Sequence, residues 1–211
     1  MRVVFGAGDY CLPVVELLGS LGLDVDAVAD DSAGDSPVPG VPRIGREAIA
    51  AHSTVYLAIG NATARRSVAV WLTEHGHTLG TAVHPSAYVS PSSHVGPGCI
   101  VHVGAFVWSG VELGIGVLVS PHACVAHHVT VDDYCLLSMS SKVGSHAYVG
   151  SGATIGIGST VSTGGIRVGR GALVGAGAVV VKDVLEGATV VGNPAKVRAT
   201  DVGRPTARVD P

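Results

Sequence analysis

The chain has 211 residues, of which 14% are charged and 4% aromatic, and it carries a net charge of −3. So weak and slightly acidic a charge excludes nucleic-acid binding by bulk electrostatics, and no apolar run reaches the eighteen residues a membrane-spanning helix needs. Hydrophobic residues make up 47% with few aromatics among them, so the core has to be aliphatic and narrow, and 30 glycines point to many tight turns.

The N-terminus, MRVVFGAGDY, shows no charged leader followed by an apolar stretch, and the four cysteines (Cys11, Cys99, Cys124, Cys135) show no C-x-x-C spacing. The expectation is a soluble, cytoplasmic protein with reduced thiols. Arg2–Phe5 reads as a strand closing on Gly6-Ala7-Gly8, and Leu12–Leu21 has helical periodicity. Val25–Ala29 is a second strand ending at Asp30-Asp31, and a loop rich in Pro, Gly and Ser spans Ser32 to Pro42. Thr54–Ile59 is a third strand ending at Gly60-Asn61, and Ala62–His75 is an amphipathic helix. Strands alternating with helices predict a parallel sheet, here a small Rossmann-like domain over residues 1–80.

The turn after the first strand is half of a dinucleotide fingerprint. Gly6 and Gly8 fit G-x-G, but Cys11 stands where the third glycine would allow close helix–strand packing, which argues against an NAD site. The turn still offers backbone N–H groups at a helix start. Ligands in such sheets bind beyond the carboxyl ends of the strands. The expected substrate-binding set is therefore Gly6, Ala7, Gly8, Asp9, Tyr10, Asp30, Asp31 and Gly60.

From Ala87 the periodicity changes. Every sixth residue from Val89 to Val161 is aliphatic, thirteen positions in succession, and two residues before each stands a small or β-branched side chain. One extra residue within Gly164-Gly165-Ile166-Arg167 shifts the frame, which resumes at Val168, Val174 and Val180. Six fits neither an α-helix nor an alternating hairpin sheet. It fits a parallel β-helix in which three hexapeptides, eighteen residues, make one triangular coil. Cys99 and Cys135 occupy inward small positions and read as packing residues.

The strand–helix N-terminal segment, the hexapeptide rungs, AIGNATARR (Ala58–Arg66), HPSAYVSPS (His84–Ser92) and VVGNPAKV (Val190–Val197) together resemble the sialic acid O-acetyltransferase family of sugar acyltransferases. That family includes bacterial nucleotide-amino-sugar N-acetyltransferases. The resemblance implies a left-handed β-helix over 81–198, a flexible tail over 199–211 and a homotrimer. It implies a nucleotide-linked amino sugar held by the N-terminal domain, acetyl-CoA as co-substrate in a cleft between subunits, and no metal, nucleic acid or membrane partner. It also implies a histidine general base, and SPHACVAHHVTVDDY (Ser120–Tyr134) puts His127 at that position. His128 stands where the family usually has a carboxylate, and His128, His146, Asp132 and Asp133 are alternative replacements for it. His146 follows His128 by eighteen residues, so the two rings are expected to stack one coil apart. Tyr10 and Leu136 stand where the family often has histidine. Ile157 and Ala176 match positions lining the CoA channel. Arg167, Arg170, Lys182 and Lys196 are possible partners of CoA phosphates.

Two other functions compete. One is a γ-carbonic-anhydrase-like zinc enzyme, for which His122 and His127 have compatible spacing but a third histidine two coils earlier is missing. The other is a non-catalytic trimeric scaffold, for which the departures at His128 and Leu136 leave room.

Overall fold

The computed structural model describes residues 1–200. Its first part is a five-stranded parallel sheet of order β3-β2-β1-β4-β5. β1 (Arg2–Phe5) lies centrally between β2 (Ala27–Ala29) and β4 (Thr54–Leu57), with β3 (Arg43–Ile44) and β5 (Thr78–Leu79) at the edges. RVVF and TVYL are continuous apolar runs because their strands are covered on both faces. α1 (Cys11–Ser20) and α2 (Ala62–Glu74) follow the two strongest strands. Asn61 caps α2 by accepting the Ala64 N–H at 2.9 Å. The edge strands β3 and β5 have no counterpart in the sequence reading: two residues are too few to show a period.

From Ala82 the chain winds into a β-helix with three parallel faces. The first face contains Ile100–Val101, Leu118–Val119 and Leu136–Leu137; the second Phe106–Val107 and Cys124–Val125; the third Glu112–Leu113 and Thr130–Val131. Phe106 pairs with Cys124, eighteen residues on, whereas Tyr148 pairs with Arg167, nineteen on, which is the predicted frame shift at Gly164-Gly165. Aliphatic side chains such as Val125, Leu137 and Ile155 and the small residues before them, Ala123, Cys135 and Ala153, form one sealed core. The hairpin Ala188–Val191 with Lys196–Thr200 ends the described chain. The expected tail thus begins inside a strand, and 201–211 lie outside the described residues.

The second turn residue at each corner has positive φ. Glycine fills it at 98, 104, 110 and 116, and again at 152 and 158. Between them His122, His128, Tyr134, Ser140 and His146 adopt it at φ 57–62°. A side chain in this left-handed conformation costs about 1 kcal/mol, so five consecutive corners accept strain that glycine would avoid.

The two parts share apolar surface. Ile100 and Leu118, on the outside of the first face, are fully buried with Val14, Leu17 and Leu18 of α1. Tyr134 and Ile115, at the corner between third and first faces, pack with Leu57, Leu72 and Leu79. Arg65 of α2 is completely buried between the parts. Its guanidinium donates to the carbonyls of Ile59 (2.7 Å), Gly60 (2.8 Å), Gly116 (2.9 Å), Tyr134 (2.5 Å) and Cys135 (3.2 Å). All five N–H donors are used, and no carboxylate pairs with it among the described residues.

Candidate functional site

The glycine turn after β1 is tightly held. A Cβ on Gly6 (φ +115°) would stand 2.5 Å from the Ala58 carbonyl oxygen, so only glycine lets β1 and β4 approach there. Asp30 Oδ2 accepts the Ala7 N–H at 2.7 Å, and its Oδ1 accepts from Ser32 and from Arg43 at 3.1 Å. These hydrogen bonds to Ser32 and Ala7, with Arg43 beside them, outweigh burial and hold the Asp30 carboxyl below its ordinary range. Asp30 therefore braces the turn. Asp31 pairs with Arg46, and Asp30, Asp31, Ser32, Arg43 and Gly45 line an open hollow at the sheet edge. Gly8 and Asp9 are exposed beside the turn.

Tyr10 points the other way, toward the β-helix. Its hydroxyl lies 2.6 Å from His102 Nε2. Burial, with a smaller contribution from His84, pushes the His102 pKa down to about 4, and burial also raises that of Tyr10. Both groups are neutral near pH 7, so the Tyr10 O–H donates to Nε2. The pair closes a cavity of about 400 Å³ lined by Pro13, Gly60, Leu118, Pro121, Leu136, Met139 and Ile157. Of the expected substrate and CoA residues, this cavity unites Tyr10, Gly60 and Ile157. Ala176 stands one coil beyond Ile157 on the same corner, and Val103, Met139 and Ile157 form an exposed apolar edge there.

His127 and His128 lie on the next corner, between second and third faces. Their Nδ1 atoms are 3.0 Å apart. The His127 ring is half-buried against the edge of Trp108, with centroids 5.5 Å apart. His128 and His146 lie parallel at 5.2 Å and 10°, the stacking expected from their spacing. Asp132 and Asp133 are engaged elsewhere: Asp132 accepts from the Tyr148 hydroxyl and Asp133 from the Ile115 N–H. Of the alternatives for the family's carboxylate, His128 alone has a hydrogen bond to His127 among the described residues. Ligand nitrogens of His127, His128 and His146 lie within 4.8 Å of one another, so these three could hold a metal ion. His122 is one corner away with its ring over Gly104, so the His122–His127 spacing does not bring two rings to one point.

Burial drives the Cys99 and Cys135 thiols up to about 12, so neither is poised as a nucleophile. Arg167 lies 4.2 Å over the Tyr148 ring on the third face, and Arg170 shares a cleft with Arg66. Both are displaced from the apolar edge carrying Ile157. Three residues of consequence escaped the sequence reading: Arg65, His102 and Tyr134. The interruption of the corner glycine series between 116 and 152 is the signal that marks Tyr134; His102 and Arg65 carry no local signal. No helix among the described residues is long and apolar enough to cross a membrane.

No protein-family model and no curated protein sequence matches the chain. Solved structures do. The acetyltransferase domain of PglB from Neisseria gonorrhoeae is 32% identical, with a TM-score of 0.86, over 93% of this chain and 98% of that one. PerB from Caulobacter crescentus, solved with CoA and GDP-perosamine, is 31% identical, with a TM-score of 0.86, over 94% and 97%. WeeI from Acinetobacter baumannii, 24% identical with a TM-score of 0.75 over 93% and 99%, shares the fold.

Proposed function

We propose a specific reaction for this chain, which belongs to the sialic acid O-acetyltransferase family of hexapeptide-repeat sugar acyltransferases: transfer of an acetyl group from acetyl-CoA to the amine of a nucleotide-linked amino sugar. Neighbours above 30% identity include a domain solved with acetyl coenzyme A and a perosamine N-acetyltransferase solved with CoA and GDP-perosamine. N-acetylation is preferred to O-acetylation on that ground.

The observation that carries the mechanism is the 3.0 Å contact between His127 Nδ1 and His128 Nδ1. With the proton on His127 Nδ1 and donated to His128, the His127 Nε2 keeps its lone pair. That nitrogen takes a proton from the amine as it attacks the thioester carbonyl, then returns it to the departing CoA thiolate. A backbone N–H beside the carbonyl would stabilise the oxyanion. His128 thus orients the base as the family's carboxylate does, without adding a negative charge.

Residues 1–80, read as a Rossmann-like domain, hold the nucleotide sugar through Gly6, Ala7, Gly8, Asp9, Tyr10, Asp30, Asp31 and Gly60. The strand order 3-2-1-4-5 supports that reading, being that of a mononucleotide-binding half. Residues 81–198 form a left-handed β-helix whose apolar edge, with Ile157 and Ala176, takes the pantetheine arm. This edge and His127 occupy different corners of one prism, which favours a homotrimer in which the base of one subunit faces the substrates bound at its neighbour. The exposed Tyr88–Phe106–Trp108 ladder beside His127 fits burial at that seam. The cytoplasm, where acetyl-CoA and nucleotide sugars are made, is the proposed location.

The test is turnover of acetyl-CoA with GDP- and UDP-linked amino sugars. His127→Ala should lower kcat by about 10²–10⁴-fold with little change in acceptor affinity. A drop of less than about tenfold rules out His127 as the base.

A further inference from the structure

We propose that His127, His128 and His146 form an exchangeable site for a divalent transition metal of the zinc class, and that occupying it silences the enzyme. The three ring centroids form a near-equilateral triangle: 5.2 Å for His127–His128, 5.2 Å for His127–His146 and 5.2 Å for His128–His146. Three imidazoles around one tetrahedral ion have that shape. A metal–nitrogen bond of about 2.05 Å plus about 1.1 Å from nitrogen to ring centre puts the centroids about 5 Å apart at the tetrahedral angle. The donor nitrogens already lie within 4.8 Å of one another. Closing on an ion requires only that one of the near-parallel His128 and His146 rings turn about its Cβ–Cγ axis and that the proton between the two Nδ1 atoms move to Nε2 or to solvent.

The backbone supports the same assignment. His128 and His146 hold φ values of 57° and 62° at a corner position that Gly110 fills one coil before and Gly165 one coil after. Both side chains are exposed, so the strain brings no burial in return; it does bring two imidazoles beside His127. Three protein nitrogens and one water complete the usual open zinc coordination. The ion enters as an aqua complex and gives up three waters. Whichever His127 nitrogen binds it, Nε2 no longer offers a free lone pair to the acceptor amine. The inhibitory half of the proposal rests on His127 being the base; the binding half does not.

The test separates them. Zinc is titrated into the full-length, chelator-treated protein by calorimetry without substrates, and quenching of Trp108 fluorescence by Ni²⁺ is followed in a Trp71→Phe background. We expect one equivalent per chain, at least tenfold weaker binding in His146→Ala, and unchanged binding in His75→Ala/His77→Ala. The metal site is refuted by the absence of saturable binding below about 1 mM, or by affinity in His146→Ala within about threefold of wild type, taking three ligands as the minimum for a stable site. Turnover is then assayed with and without zinc. Wild-type activity should fall more than tenfold at saturating zinc, and His146→Ala should keep its activity at the same concentration. Zinc binding without inhibition of an active enzyme refutes the inhibitory half. Zinc binding to a protein that does not acetylate any amino sugar leaves the metal site standing and removes the acetyltransferase reading instead.

Discussion

Replacing Arg65 by alanine tests whether one buried cation fastens the two parts of the molecule. Its five hydrogen bonds reach two carbonyls beside α2 and three on the β-helix. At about 1.5 kcal/mol each, the low end for a charged donor because carbonyls can rehydrate in the flooded cavity, they contribute roughly 7 kcal/mol. Against this stands burial of the charge, which pulls the Arg65 pKa from 12.5 to about 10, a penalty of about 3 kcal/mol. The expected net loss is about 4 kcal/mol, or a fall in Tm of roughly 8–16 °C for a chain of this size. Arg65→Lys, with three donors for five carbonyls, should lose about half as much. Urea denaturation followed by circular dichroism and by Trp71 fluorescence measures both. If Arg65→Ala unfolds within 1 kcal/mol of wild type, the carbonyl cage does not fasten the parts and the accounting is wrong.

Further outcomes follow from the site. His128→Ala should lower kcat by roughly 10-fold and leave the acceptor KM unchanged, because an orienting bond acts on the base alone; a KM effect with intact kcat would contradict the assignment. His102 keeps a folded pKa of about 4 against an unfolded 6.5. The unfolded chain therefore binds the extra proton between those values, and stability should fall by up to about 3 kcal/mol as pH drops from 6.5 to 4. His102→Gln should flatten that slope, read from urea midpoints across the range. Gly96→Ala should destabilise by about 1–3 kcal/mol, since its Cβ would lie 2.5 Å from the Gly114 carbonyl oxygen of the next coil. Gly8→Ala, with nothing within 4 Å, should be neutral in the same assay.

The hexapeptide frame made the β-helix legible because every rung repeats one inward aliphatic residue, and the period is set by the coil itself. Thirteen matching positions left no competing structure, and the shift at Gly164-Gly165 could be read as one added residue. The parallel sheet was legible in its long strands and in both helices. It was not legible in β3 and β5, where two residues carry no period. His127 came from its place in the family pattern, and the His128–His146 stack from their separation of one coil.

Which corner meets which ligand was not legible. The outward residues Ile100, Leu118 and Leu136 stand eighteen apart and mark the face that α1 covers, but only docking gives that pattern its meaning. Tyr10 and His102 are ninety-two residues apart and come within 2.6 Å because two independently coiled parts pack together. The same packing turns Arg65 from one of two adjacent arginines in a helix into a buried clamp. Local repeats can be read along a chain because each rung meets only its neighbours. The partners of Tyr10, His102 and Arg65 depend on how one folded part lies against another, and that relation has no period for a sequence to record.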